Sequence, residues 1–225
     1  MIDLPNGTSG GMAAASEGKS DAGGPTRRRV EKHKFFVMTS RVAHQASGFR
    51  LLNGDRLFKV GPLTFLPPLG LRGFRDYPER PIFLDDVKLG RIHRDLEEYS
   101  GYWFISEKMK SVLQTVDPEA FAFLECDIQS SDGTRQPARW LCDAVRVLDA
   151  LDEDQSTAEI GVATDGSKVY HYVHTAKLIF KESIVGSSHI FRMKYFKPTT
   201  ICDDEFRLAC KSADLKGISF DDPSS

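Results

Sequence analysis

Tyr102-Trp103-Phe104-Ile105-Ser106-Glu107-Lys108-Met109-Lys110-Ser111-Val112-Leu113-Gln114-Thr115-Val116-Asp117-Pro118 holds a strand, a cap, a helix and a stop in one unbroken run. Four consecutive apolar residues, Tyr102 to Ile105, fit a β-strand. Ser106 follows as an N-cap, a residue type whose oxygen takes up a backbone N–H of the first helical turn. Met109, Val112, Leu113 and Val116 then fall at i, i+3, i+4 and i+7, which is one apolar stripe of an amphipathic helix. Asp117-Pro118 ends the helix, because a residue before proline is pushed towards extended dihedrals. Phe121, Phe123 and Leu124 begin a second strand.

The same pattern returns near residue 200. Thr199-Thr200-Ile201-Cys202 is the strand, Asp203 the cap, and Phe206, Ala209, Cys210 and Ala213 the stripe. Gly217 follows the helix, and Ile218-Ser219-Phe220 forms the closing strand. Counting Ser106 onto Asp203 gives a separation of 97 residues. A diverged duplication and a chance recurrence of a common unit both account for it.

Further out, Phe35 to Met38 reads as a short buried strand. Gly48 to Pro81 is rich in Gly and Pro, with the turn signal Asn53-Gly54-Asp55 and the pair Pro67-Pro68, so strands and loops are expected there and helix is not. Phe58, Phe65 and Phe74 supply its apolar anchors. Trp140 to Leu151 is open: Leu141, Ala144, Val145, Leu148 and Leu151 match helical spacing, while the β-branched Val145 and Val147 fit a strand. Lys168 to Phe180 alternates in part, and His189 to Met193 reads as another strand. Strands mixed with two or three helices give an α+β fold with a mixed sheet and a long Gly/Pro-rich strand-loop region in the N-terminal half.

Composition narrows the function. Lys plus Arg number 30 against 32 Asp plus Glu, a net charge of -2, so no global basic field exists to hold nucleic acid or an anionic membrane. The longest uncharged apolar run, Val60 to Leu71, carries three prolines and is too short for a bilayer, which needs about 20 residues. Residues 1–26 have neither the basic start nor the apolar core of a secretory leader, so a cytoplasmic protein is expected. That stretch is Gly-rich without an aromatic residue and reads as disordered. Arg27 to Lys34 adds a basic run, making residues 1–34 a tail and residues 35–225 one α+β domain. Cys126, Cys142, Cys202 and Cys210 match no zinc-ligand spacing and are expected as buried free thiols.

Catalytic signatures are missing. The chain has no G-x-S-x-G, G-x-x-x-x-G-K-[ST] or H-E-x-x-H, and no G-x-G-x-x-G on a strand-to-helix turn. His171 and His174 lie three apart, which on a strand faces them to opposite sides and keeps them from one metal. No catalytic residue, metal or cofactor is assigned. An enzyme or nucleotide-binding domain with an unrecognised site is the alternative, and Arg75, Asp76, His93 or His171 would serve it.

Four segments in order resemble a known family. They are Ser100-Gly101 leading into the opening stretch as far as Leu113, Val145-Arg146-Val147-Leu148-Asp149-Ala150-Leu151-Asp152 with Ser156 downstream, His189-Ile190-Phe191-Arg192, and Leu215-Lys216-Gly217-Ile218-Ser219-Phe220. The set is similar to the eleventh numbered immunity-protein family of bacterial polymorphic toxin systems, from about Phe35 to Phe220. The resemblance implies a strand at Val145 to Val147. It also implies a small cytoplasmic antitoxin, encoded beside a secreted toxin, that protects its own cell by binding that toxin. It transfers no catalytic residue. For the partner surface the candidates are Asp149, Asp152, Glu153 and Asp154, in a segment where Asp149 to Asp165 supplies six acids and no base. Such a segment is either a solvated loop or a face for a basic toxin groove.

Overall fold

The computed structural model describes residues 33–41, 48–61, 72–86, 94–131, 133–171 and 173–223. Along the chain these form β1 (Phe35–Ser40), β2 (Phe49–Leu51), α1 (Gly54–Leu57), β3 (Ile82–Asp85), β4 (Leu96–Tyr99), β5 (Tyr102–Ser106), α2 (Glu107–Val116), β6 (Phe121–Ser130) and β7 (Arg135–Ala144). There follow β8 (Val147–Leu148), β9 (Glu159–Val162), β10 (Lys168–His171), α3 (Glu182–Val185), β11 (Ile190–Met193), β12 (Phe196–Asp203), α4 (Asp204–Ser212) and β13 (Ile218–Asp221). A five-stranded sheet runs β13-β1-β12-β11-β8, a six-stranded sheet runs β2-β3-β6-β7-β5-β4, and β9 and β10 pair as a separate hairpin. Both large sheets are mixed, since β3 is parallel to β6 and β8 to β11. The fold class is α+β.

Side chains alternate across a strand, so β5 sends Trp103 and Ile105 into one core and Tyr102 and Phe104 into another. In β1, Phe36 and Met38 join the first of these cores, while Phe35 and Val37 face a third. A strand buried on both faces needs no polar alternation. The continuous apolar runs in both strands follow from that. The shared core also takes Met109 and Leu113 of α2 and Phe206 and Cys210 of α4, so the two helices and one face of each large sheet bury against a common interior.

The recurring unit extends to topology. The strands flanking α2, β5 and β6, are separated by β7, which is antiparallel to both. Those flanking α4, β12 and β13, are separated by β1 in the same way. Each is a split β-α-β arrangement. The caps match too, for the Ser106 hydroxyl accepts from Met109 N at 3.2 Å and the Asp203 carboxylate from Phe206 N at 2.9 Å. Gly217, with φ of 93°, ends the second unit where a Cβ would lie 2.4 Å from the Leu96 carbonyl oxygen.

Several expectations are corrected. Asn53-Gly54-Asp55 opens the short helix α1, inside the region expected to hold none. The Asn53 side chain donates to the Arg80 carbonyl and accepts from Ile82 N, both at 2.9 Å, tying this turn to β3. Leu57 is then the buried anchor, whereas Phe58 is 52% exposed. Phe74 packs beside the Phe83 and Phe104 cluster as expected. Trp140 to Leu151 holds no helix: β7 runs to Ala144 and β8 follows. Leu141 and Ala144 are buried in β7, Leu148 lies in β8 and Leu151 bridges Phe180, so the apparent helical spacing is spread over separate extended segments. The tail of residues 1–26, Phe65, the Pro67-Pro68 pair and His93 lie outside the described residues. Among the described residues no helix is long and apolar enough to cross a membrane.

Candidate functional site

The motif residues of the sequence turn inward. Asp143 of β7 is 1% exposed and accepts from Gly73 N at 2.9 Å. Its other oxygen lies 3.2 Å from Arg72 Nη2 and 3.4 Å from Arg192 Nη2 of β11, so the carboxylate bridges the two large sheets. Arg192 also donates to the carbonyls of Ala144, Lys197 and Pro198, each at 3.0 Å. Burial pulls the Arg192 guanidinium down to about 10, against the attraction of Asp143. His189, at the head of the same motif, places Nδ1 2.8 Å from Asp203 Oδ2 and donates its backbone N–H to Asp117 at 3.0 Å. Asp117 also holds Arg146. Ser156 accepts from Ile179 N at 2.9 Å. Each of these groups is engaged in joining one segment to another.

The acid-rich segment is built from β8 outward. Ala150 and Leu151 are buried, and Leu151 bridges Phe180, which pins the start of the segment to the core. Asp152 folds back on its own turn, accepting from Gln155 Nε2 at 2.6 Å and from the backbone N–H groups of Asp154 and Gln155 at 3.2 and 3.3 Å. Glu153 accepts from Lys168 and, at 2.6 Å, from the Tyr170 hydroxyl. These bonds, Lys168 first, hold its carboxyl below the usual glutamate range. Asp149 lies 3.5 Å from Lys194. Both lysines also sit over the Tyr195 ring, at 4.9 Å for Lys168 and 5.1 Å for Lys194. Asp154 projects into solvent. The structure therefore brings Asp149 and Glu153 to cations that the sequence segment itself does not contain. Lys168 and Lys194 were missed because they lie beyond the segment; Tyr195 beside Lys194 was the available signal.

Of the residues proposed for an unrecognised enzyme, His93 lies outside the described residues, Arg75 and Asp76 lie between α1 and β3, and His171 lies at the end of β10. Arg75 Nη1 donates to the Val60 carbonyl at 3.4 Å, near Phe74 and Tyr77. His171 ends β10 with its ring over Gly161, where a Cβ would lie 2.3 Å from Nε2. His174 packs edge-on against Phe196, with ring centroids 5.6 Å apart. Among the described residues no group of three or more His, Cys, Asp or Glu is placed to hold a metal. The four cysteines are buried and free, and burial pushes the Cys126 and Cys210 thiols up to about 12. A cleft of about 370 Å³ has His33, Phe35, Leu178, Phe180, Glu182 and Pro223 among its lining residues. In its lining His33 pairs with Glu182 at 2.9 Å and Lys34 reaches Asp222 at 2.7 Å.

The family model described as the immunity protein family (Imm11) matches residues 34–225. The chain belongs to the Imm11 family. No curated protein matches it. Within this Imm11 chain, the segments that carried the resemblance are the ones now seen at the junctions: Ser106 caps α2, His189 and Arg192 join the sheets, and Gly217 passes against β4. Of the strand expected at Val145 to Val147, only Val147 falls in β8; Val145 and Arg146 join β7 to β8 without belonging to either.

Proposed function

We propose that this chain is a cytoplasmic immunity protein that neutralises a cognate secreted toxin by direct binding, without catalysis or cofactor. The observation that carries the reading is the match to an immunity protein family over residues 34–225. The toxin is encoded by an adjacent gene, and binding involves neither nucleic acid nor membrane. One domain, residues 35–225, does the work, with residues 1–34 as a tail. Support comes from the buried ionic junctions, which fix two sheets against each other and offer a rigid surface without setting up a reactive group.

Asp149, Asp152, Glu153 and Asp154 are the proposed contact for a basic toxin surface. Two lysines answer four carboxylates, which leaves this patch at two net negative charges with Asp149 and Asp154 both exposed. Its role is to steer the encounter.

Co-expression tests the whole reading. Growth should be restored when this chain is produced with the toxin domain encoded beside it, and the two should co-elute as a stable complex. Rescue with no complex, accompanied by covalent change of the toxin, would refute it. For the acidic patch, Asp149→Ser with Asp154→Ser should slow association at low salt and leave high-salt rates unchanged. Equal rates at both salts would remove the patch from the contact.

A further inference from the structure

The hairpin edge at β9 is the feature that neither the core nor the ion pairs account for. Its register is Ile160 opposite Tyr170 and Val162 opposite Lys168. Tyr170 gives its N–H to the Tyr195 carbonyl at 3.1 Å, away from β9. Ile160 and Tyr170 are thus a non-hydrogen-bonded pair, and alternation puts Val162 and Lys168 in the same class. The bond from Ala163 N to Ser167 O at 2.8 Å fits that phase. The backbone N–H and C=O groups of Ile160 and Val162 consequently point outward, away from β10, and among the described residues they meet no backbone partner. Their side chains share a face and are exposed, Ile160 at 49% and Val162 at 75%.

Edge strands are ordinarily protected by lysine, proline, a bulge or a covering segment. β9 reads Glu159-Ile160-Gly161-Val162, with one acid at its start and two exposed β-branched residues after it. The strand is flanked by acids at both ends: Glu159 is exposed at its start, Asp165 sits in the turn after it, and the Lys168 ammonium on β10 is already held by Glu153.

We infer that β9 is a docking edge that accepts an extended segment of the toxin as an added strand, apolar at alternate positions and flanked by Lys or Arg. Main-chain hydrogen bonds to Ile160 and Val162 supply affinity, and their side chains with the flanking acids select the sequence. A second copy of this chain is the less suitable occupant, because pairing β9 with β9 would bring two sets of acids, Glu159 and Asp165 of each copy, to one seam. The inference rests on the neutralisation reading above and names its surface.

The test uses the full chain and the toxin domain encoded beside it, catalytically inactivated. Val162→Pro removes an outward N–H that the hairpin does not use, and Val162→Lys puts a charge on the edge. Both should weaken binding about tenfold or more at an unchanged melting temperature. In the parent complex, amide exchange at Ile160 and Val162 should slow. Should Val162→Pro fail to fold, Val162→Lys and the exchange measurement decide. Binding by the parent with unaltered affinity in the folded variants and unchanged exchange would overturn the docking edge and leave neutralisation standing. No binding by the parent would overturn neutralisation, and the docking edge with it. A parent dimer that Val162→Pro dissociates, with toxin affinity unaffected, would assign the edge to a second copy instead.

Discussion

Asp143 stands buried between two guanidinium groups. Replacing it with Ala leaves Arg72 and Arg192 facing each other without a counter-charge, a change that costs about 3–5 kcal/mol when one member of a buried pair is removed. Urea unfolding of Asp143→Ala should show a loss of that size, whereas a loss below about 1 kcal/mol would mean that water reaches the junction. His33 gives a pH-dependent case. Burial works to lower its pKa, but the hydrogen bond and charge of Glu182, with Asp203 and Asp204 adding to them, raise it above 6.5. A raised folded-state pKa makes the contribution complete below the unfolded value and lost as pH rises through the folded one. The melting-temperature gap between the parent and His33→Gln should therefore be largest near about pH 5.5 and close by about pH 8.5. A gap that grows with pH would contradict the pairing.

At the scale of elements, α2 is held by its cap and its stripe. Leu113 is fully buried, so Leu113→Ala should destabilise by about 2–5 kcal/mol. Ser106→Ala should cost about 1 kcal/mol by leaving the Met109 N–H without its acceptor. Equilibrium denaturation checks both; a smaller loss at Leu113 than at Ser106 would place the stripe at the surface. These same features made α2 and α4 legible in the sequence, since caps and stripes are local in the chain. β1 and β5 were legible for another reason, being apolar on both faces. β4 and β9 were not, because Glu97-Glu98 in one and Glu159 with Gly161 in the other break any apolar run in strands of four residues. α1 was hidden behind a turn signal that the Asn53 bonds to Arg80 and Ile82 convert into a helix start. The acidic segment was visible as charge, but its neutralisation by Lys168 and Lys194 depends on the hairpin and on β11 reaching the same place.

For the whole molecule, the interior that receives Phe36, Trp103, Leu113 and Phe206 couples both large sheets to both long helices. Neither sheet keeps its buried face if the other opens. Unfolding of the described domain should therefore be one cooperative transition, with Trp fluorescence, which reports Trp103 and Trp140 of the six-stranded sheet, coinciding with far-ultraviolet circular dichroism. Separate midpoints would show that the sheets melt independently.

β1 lies between β12 and β13, and both of those neighbours come after residue 195. A ribosome releases Phe35-Phe36-Val37-Met38 long before it has made either partner. Throughout elongation this apolar segment has no native strand to join, which is the situation in which nascent chains bind chaperones or one another. The six-stranded sheet has no such delay, because all its strands precede residue 145. The five-stranded sheet thus closes only after β13 has been made, and slow decoding anywhere past β7 lengthens the time for which β1 is exposed to aggregation.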